Sequence, residues 1–219
     1  MTDTRLVDGA VFDAVLFDMD GTLVSSTPAV DRSWETWGRE YGLPADFRAG
    51  IGHGMPARSI VATLVPADPE GAYARILQLE LDDTEGVAAL PGAVEALAAI
   101  DEGRKAIVTS CGDRLAAVRI GAAGLVRPAT VVTADDIVNG KPDPEPFLLG
   151  ATRLRVDPTR CLVVEDAPAG LAAGRAAGSA TLGVAGTHEA HELDADLVVD
   201  GLDAVLFEAV AGGVRVRLR

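Results

Sequence analysis

The stretch AVLFDMDGTLV, residues 14–24, joins a short apolar run to two acidic residues and a glycine. An apolar run of this length, bounded by polar residues, is typical of a buried strand. The strand would end at Asp18, with Asp20 and Gly21 in the turn that follows. Active sites of open α/β sheets lie at the carboxyl ends of strands, and two carboxylates there are costly unless paired or metal-bound. The alternative is an ordinary surface turn rich in Asp and Gly.

Further apolar runs predict five more strands, at residues 104–110, 129–133, 161–166, 180–184 and 196–200. Helical patterns lie between them, at residues 92–100, 114–124, 144–154 and 169–177. Continuous apolar strands that alternate with helices predict right-handed βαβ units and an α/β fold with a doubly wound, Rossmann-like parallel sheet. Residues 5–7 and 214–218 are predicted as edge strands, with a turn at Asp8-Gly9.

One part of the chain breaks this alternation. Between Thr22 and Leu90 we find helical patterns and no convincing buried strand. The patterns cover residues 30–41, 57–64 and 70–85, separated by segments rich in Gly and Pro. We interpret residues 23–90 as an inserted α-helical cap domain, and residues 1–22 with 91–219 as the core domain. Trp34 and Trp37, three residues apart, are interpreted as packing in the cap, with a substrate-facing position as the alternative.

The composition restricts the possible partners and compartment. The 219-residue chain has a formal net charge of −14, which disfavours nucleic acid and anionic membranes as partners. Two cysteines, Cys111 and Cys161, are too few for a disulfide framework, which favours a reducing cytoplasm. The first residues lack the pattern of a signal peptide, and no apolar run is long enough to span a bilayer. A monomer or a small homo-oligomer is expected.

Polar residues also follow three of the later strands. Thr109-Ser110 ends one strand, Lys141 follows another, and Glu165-Asp166 ends a third. Singly, each has a structural interpretation: a helix N-cap, a solvated loop, and an acid pair at a helix N-terminus. Because they come at strand ends in one sheet, we expect them to meet Asp18 in a single crevice.

These motifs, taken together, resemble those of the haloacid-dehalogenase-like hydrolases. The residues that carry the resemblance are DMDGTLV at 18–24, VTS at 108–110, GKPDPEPF at 140–147 and VVEDAPAG at 163–170. The insertion resembles the helical cap of the subgroup that contains sugar-phosphate phosphatases and β-phosphoglucomutase. The finer likeness is to phosphatases of 2-deoxyglucose 6-phosphate and of glycerol phosphate. The resemblance therefore implies an Mg²⁺-dependent phosphatase that acts on a small phosphorylated metabolite.

The resemblance also implies roles for individual residues. Asp18 would be the nucleophile and would form an aspartyl phosphate, while Asp20 would act as general acid and then as general base. Lys141 would offset the charge of the phosphate, and Ser110 would hold phosphoryl oxygens. The implied Mg²⁺ ligands are Asp18, Asp20 through its backbone carbonyl, Asp166 and the adjacent Glu165. Because Cys111 follows Ser110, it is expected to line the site as a small neutral side chain, with a nucleophile as the alternative.

The choice of substrate is predicted to come from the cap. The segment GHGMPAR, residues 52–58, would form a lid loop in which His53 and Arg58 bind hydroxyls or phosphate, and the alternative is a structural turn between helices. The presence of Asp20 disfavours a dehalogenase. A β-phosphoglucomutase-like phosphomutase is the alternative to the phosphatase, although Val30 stands where such mutases carry a histidine. The substrate itself stays open.

Overall fold

The chain folds into strands and helices that alternate for most of its length. The structure is a computed structural model that describes residues 7–48 and 57–219. The strands are β1 (Val11–Phe12), β2 (Ala14–Phe17), β3 (Val24–Ser25), β4 (Ala88–Ala89), β5 (Lys105–Val108), β6 (Val131–Val132), β7 (Cys161–Glu165), β8 (Ala180–Val184), β9 (Leu197–Val199), β10 (Val205–Val210) and β11 (Gly213–Leu218). The helices are α1 (Thr27–Glu40), α2 (Ala57–Leu64), α3 (Pro69–Asp82), α4 (Ala93–Ala99), α5 (Asp113–Ala122), α6 (Glu145–Leu154) and α7 (Pro168–Ala176).

Six strands form one parallel sheet, in the order β6-β5-β2-β7-β8-β9. β2 lies in the interior of the sheet, where Phe17 pairs with Ile107 of β5 on one side and with Val164 of β7 on the other. The carboxyl ends of these three strands therefore lie side by side. All six strands fall within the runs predicted from the sequence, and the predicted doubly wound fold is confirmed.

Helices cover both faces of this sheet. Phe17 belongs to a buried cluster with side chains of α4 and α5, whereas Leu16 belongs to a second cluster with α6 and α7. This division follows from strand geometry, because successive side chains point to opposite faces. It also explains why the strands are apolar without alternation, since neither face meets water.

A small antiparallel sheet, in the order β1-β11-β10, extends the first cluster. β11 confirms the predicted strand at residues 214–218. The other predicted edge strand, at residues 5–7, is wrong at Val7, which lies in a turn. Residues 5–6 lie outside the described part of the chain. β11 pairs with β10 on one side and on the other with β1, which follows a turn at Gly9. Gly9 has a φ of +83°, a conformation that favours glycine, so the chain reverses there before β1 begins.

The helices α1, α2 and α3 have a hydrophobic cluster of their own. It contains Trp34 and Trp37, which are 3% and 0% exposed, together with Ile76 and residues of α2. The indole N–H of Trp37 donates to the backbone oxygen of Ala72 at 2.9 Å. The interpretation of both tryptophans as packing residues is therefore confirmed, although Trp34 also borders a cavity between the insertion and the sheet.

Two short strands connect this helical insertion to the sheet. Val24 pairs with Ala89 and Ser25 with Ala88, so β3 and β4 form an antiparallel ribbon. No strand is predicted here from the sequence, because two residues are too few to produce a hydrophobic period. We propose that residues 23–90 form a cap domain distinct from a core of residues 1–22 and 91–219. Within the described residues, no helix is both long enough and apolar enough to cross a membrane.

A matched pair of core substitutions tests this division. Ile76 and Ile107 are both 0% exposed, but Ile76 lies in the insertion and Ile107 in the sheet. Replacing either by Ala should cost about 2–5 kcal/mol. Both tryptophans of the chain lie in α1, so tryptophan fluorescence reports on the insertion while far-ultraviolet circular dichroism reports on the whole chain.

In urea, Ile76→Ala should move the fluorescence midpoint to lower urea by more than the circular dichroism midpoint. Ile107→Ala should have its larger effect on circular dichroism. If each variant moved both midpoints equally, unfolding would be a single cooperative step and the proposed division would be wrong.

Candidate active site

Asp18 lies at the carboxyl end of β2 and is almost fully buried, with 8% of its surface exposed. Its backbone N–H donates to the oxygen of Val164 at 2.9 Å, which continues the pairing with β7. Its carboxylate accepts from the ammonium group of Lys141 at 2.5 Å. Burial raises the pKa of Asp18 well above its ordinary value, while Lys141 opposes this shift and the nearby acids add to it.

Lys141 comes from the segment between β6 and α6, and its side chain is only 4% exposed. Its ammonium group donates to Asp18, to Glu165 at 2.7 Å and to the backbone oxygen of Val108 at 3.0 Å. Burial alone would lower the pKa of Lys141, but Asp18 and Glu165 outweigh this and raise it. Lys141 therefore stays positively charged between two buried carboxylates.

Asp18, Glu165 and Asp166 form an acidic cluster. One carboxylate oxygen from each lies within 4.8 Å of the others, and all three residues are buried. Burial, with a further contribution from Glu165, raises the pKa of Asp166 to about 7. Among the described residues, one lysine pairs with this cluster of three buried carboxylates, so negative charge is in excess. Hard oxygen ligands of this kind suit a divalent cation such as Mg²⁺. A bound cation would stabilise the charged forms of these acids.

Two glycines make this cluster possible. Gly21 has a φ of +88°, and a Cβ atom there would collide with the carboxylate of Asp166. A Cβ atom at Gly170 in α7 would collide with the carboxylate of Glu165. The same carboxylate accepts from the backbone N–H of Ala167 at 2.9 Å, so the first turn of α7 packs directly on the site. Thr22 and Thr187 donate to Asp166.

The carboxylate of Asp20 lies apart from the acidic cluster and has other partners. One oxygen of its carboxylate accepts from the hydroxyl of Ser26 at 2.6 Å, and the other accepts from Arg119 at 2.9 Å. Its carboxylate is not a member of the acidic cluster. A role in holding a metal through the backbone carbonyl of Asp20 stays a prediction.

A cavity of about 470 Å³ opens over these residues. Its lining includes Asp18, Asp20 and Lys141 from the sheet side, with Trp34 and Tyr73 from the helical insertion. The insertion therefore covers the site, as a cap would.

The predicted phosphate-binding loop also borders this cavity. Ser110 and Cys111 follow β5 and are half-buried. Burial raises the pKa of the Cys111 thiol to about 12, so it is neutral near pH 7 and fits the predicted role of a neutral lining side chain. No described contact assigns Ser110 to a phosphate, and that role stays a prediction.

The predicted lid loop is only partly within the described residues. Arg58 borders the cavity, but its guanidinium pairs with Glu70 at 2.6 Å and lies 4.4 Å from the centre of the Tyr73 ring. It is exposed in this arrangement. His53 lies outside the described residues. The substrate-binding roles of both residues stay predictions.

Sequence reasoning missed the side chains that surround Asp20. Arg119 and Glu80 lie on predicted helices, but nothing in helical spacing shows that two helices far apart in the chain meet beside Asp20. Ser26 precedes the Thr27-Pro28 start of α1, and a serine at a helix N-cap could have been noted. Its hydroxyl binds Asp20 instead of a helix N–H.

The fold and the site together define an α/β enzyme with an acidic centre suited to a cation, at the carboxyl edge of its sheet. Residues 12–178 match the family described as haloacid dehalogenase-like hydrolase. The chain is 40% identical to hexitol phosphatase A of Escherichia coli K12, covering 87% of this chain and 91% of that protein. It is 33% identical to glycerol-1-phosphate phosphohydrolase 2 of Saccharomyces cerevisiae, covering 88% and 84%.

A solved structure of a hydrolase from Pseudomonas syringae is also similar. The two structures match with a TM-score of 0.75 and 28% sequence identity. The match covers 87% of this chain and 94% of the chain from Pseudomonas syringae. The chain belongs to the haloacid dehalogenase-like hydrolases. Within them it is a phosphoric monoester hydrolase.

A glycine substitution tests the packing of α7 on the site. Gly170→Ala should push the Glu165 carboxylate out of place and cost about 1–3 kcal/mol, with loss of activity. Gly121→Ala is the matched control, because Gly121 is also helical but, among the described residues, a Cβ atom added there would meet nothing within 4 Å beyond its chain neighbours and its own helix backbone.

The control should gain about 0.5–1 kcal/mol from the better helix propensity of alanine and keep its activity. Thermal unfolding and phosphatase assays measure both effects. Equal stability of the two variants would contradict the close contact between Gly170 and Glu165.

Proposed function

We propose that this protein is an Mg²⁺-dependent phosphatase that hydrolyses a small sugar or polyol phosphate through an aspartyl phosphate on Asp18. The contact of Lys141 with both Asp18 and Glu165 is the main support for this proposal. It holds the Asp18 carboxylate at the floor of the cavity, where a phosphate can approach it. Asp20, held separately by Ser26 and Arg119, lies outside the cluster and is available for proton transfer.

The first half of the reaction forms the covalent intermediate. An oxygen of Asp18 attacks phosphorus, and the bond between phosphorus and the leaving oxygen breaks. Asp20 gives its proton to that oxygen, so the product leaves as a neutral alcohol. Lys141 offsets the repulsion between the Asp18 carboxylate and the anionic phosphate, and Ser110 holds phosphoryl oxygens.

The second half regenerates the enzyme. Asp20, now ionised, takes a proton from a water molecule as that water attacks phosphorus. The bond between phosphorus and Asp18 breaks, which releases inorganic phosphate and restores both carboxyl groups to their starting forms. In these two steps the Asp18 carboxylate is the nucleophile, and the Asp20 carboxylate transfers the protons.

The acidic cluster supplies the residues that would hold Mg²⁺. Asp18, Asp166 and Glu165 offer carboxylate oxygens, and Asp20 offers its backbone carbonyl. The ion would offset negative charge on the phosphoryl group in the transition state. Thr22 and Thr187 orient Asp166 for this purpose through their hydroxyl groups.

The cap selects the organic part of the substrate in this proposal. A cavity of about 470 Å³ suits a small phosphorylated compound, and its cap side carries polar groups such as Arg58 that can bind hydroxyls. The names of the two phosphatase relatives give a hexitol phosphate and glycerol 1-phosphate as their substrates. This favours a polyol or sugar phosphate as the substrate here. His53 of the cap would contribute to the same selection.

The phosphomutase is the second candidate. It would share the aspartyl phosphate but return the phosphoryl group to the product. The apolar side chain of Val30 borders the cavity at the position where such mutases carry histidine, and this favours the phosphatase. Release of inorganic phosphate without an isomerised sugar phosphate would separate the two.

Substitution of the two aspartates distinguishes their roles. Asp18→Asn should abolish turnover of every phosphate monoester, because the nucleophile is lost. Asp20→Asn should lose about 100- to 10,000-fold in kcat/KM for an alkyl phosphate, on the scale of general acid catalysis. Wild-type hydrolysis of 4-nitrophenyl phosphate by Asp18→Asn would show that Asp18 is not the nucleophile.

The acidic cluster predicts a pH-dependent effect of Mg²⁺ on stability. The pKa of Asp166 is raised from 3.8 to about 7 by folding, so without a cation its contribution to stability is full below about pH 4 and is lost as the pH rises toward 7. Mg²⁺ competes with protons for the cluster. The increase in Tm that Mg²⁺ causes should therefore be larger at roughly pH 8 than at roughly pH 5.

Asp166→Asn should remove most of this increase. Asp194→Asn, on the surface with its side chain 86% exposed, is the control and should keep it. A Tm that did not respond to Mg²⁺ at either pH would count against a cation in the cluster.

A further inference from the structure

Arg119 is a buried arginine with no step of its own in the proposed reaction. It lies on α5 with its side chain 8% exposed, and it borders the cavity. One nitrogen donates to Asp20 at 2.9 Å, and another lies 3.5 Å from the carboxylate of Glu80. Burying a guanidinium is costly, so contacts of this kind must compensate for the loss of water.

Glu80 brings the helical insertion into this contact. It lies on α3, its side chain is 8% exposed, and it accepts from the indole N–H of Trp34 at 3.2 Å. Burial raises the pKa of Glu80, with Arg119 opposing the shift. Burial alone would lower the pKa of Arg119, but Asp20 and Glu80 raise it, so the guanidinium is a permanent cation.

The Asp20 carboxylate is held on both oxygens. Ser26, at the start of the insertion, donates to one oxygen, and Arg119, from the helix after β5, donates to the other. Two donors on opposite oxygens fix the rotation of a carboxylate, which otherwise turns freely about its last bond. A proton donor is effective only when its oxygen points at the leaving group.

We propose that Arg119 is a positioning residue that orients the Asp20 carboxylate toward the leaving oxygen. Glu80 links this orientation to the packing of the helical insertion over the site. The inference rests on the proposed acid–base role of Asp20. Arg119 shares its guanidinium between a carboxylate of the sheet side and a carboxylate of the insertion. The Asp20 carboxylate therefore reaches its full orientation only when the insertion is packed over the site.

A leaving-group series tests this role. The series contains three substrates of similar size: phenyl phosphate, 4-nitrophenyl phosphate and 2,4-dinitrophenyl phosphate. In this order, departure of the phenol depends progressively less on protonation by a general acid. The ratio kcat/KM reports the reaction up to release of the phenol, so the later hydrolysis step does not enter. Arg119→Met should lower kcat/KM for phenyl phosphate at least about 10-fold more than for 2,4-dinitrophenyl phosphate.

Two rescue measurements separate positioning from a merely structural role. Arg119→Lys keeps the charge and should recover part of the kcat/KM that Arg119→Met loses for phenyl phosphate. Guanidinium chloride, added to Arg119→Ala well below denaturing concentrations, should restore part of the kcat/KM for phenyl phosphate. Arg175→Ala removes an exposed arginine that pairs with Asp194, and guanidinium should not raise its activity.

Glu80→Gln tests the link to the insertion. The amide oxygen can still accept from Trp34, but the charge that faces Arg119 is lost. This variant should show the same leaving-group pattern with a smaller loss, about threefold for phenyl phosphate. In the double variant with Arg119→Met, Glu80→Gln should add nothing to that pattern, because Glu80 acts through Arg119.

Equal losses on all three substrates would overturn the proposal, since a phosphate-binding or structural arginine affects them alike. If Arg119→Met does not fold, Arg119→Lys and Glu80→Gln carry the same test. Asp20→Asn separates this inference from the proposed function. If Asp20→Asn lost kcat/KM equally on all three substrates, the acid role of Asp20 would be refuted. If Asp20→Asn lost most on phenyl phosphate while Arg119→Met lost equally on all three, only the role of Arg119 would be refuted.

Discussion

The buried ammonium group of Lys141 holds together side chains from three neighbouring strand ends. It donates to Asp18 after β2, to Glu165 at the end of β7 and to the backbone of Val108 at the end of β5. Each contact depends on the parallel order β5-β2-β7, which brings these ends to one edge. Removing the lysine would leave the buried carboxylates without this counter-charge and would destabilise the site that the strand order creates.

The site separates its carboxylates by environment. Asp18 is buried beside Lys141 and the other acids, whereas Asp20 is bound by a hydroxyl and a guanidinium on the cavity wall. Two acids that differ in this way can serve as nucleophile and as proton carrier. The helical insertion contributes to the second environment through Ser26 and Glu80, so the covering of the site and the placement of Asp20 are connected.

The sequence predicts the sheet well because each strand is buried on both faces and reads as a continuous apolar run. It also predicts that Asp18, Lys141, Glu165 and Asp166 meet, because residues at the ends of parallel strands share one edge. It misses β10, in which exposed and buried residues mix, and the β3–β4 ribbon, which is too short for a pattern. Contacts between distant helices, such as Arg119 with Glu80, have no local signal.

Chemical trapping of the intermediate tests the central claim about Asp18 most directly. The wild-type protein with Mg²⁺ and 4-nitrophenyl phosphate would be quenched during turnover and treated with borohydride, which reduces an acyl phosphate but leaves a free carboxylate unchanged. Peptide mass spectrometry should then find homoserine in place of Asp18, and only in samples that received substrate. Homoserine at another aspartate, with residue 18 unaltered in the same sample, would contradict a nucleophilic Asp18.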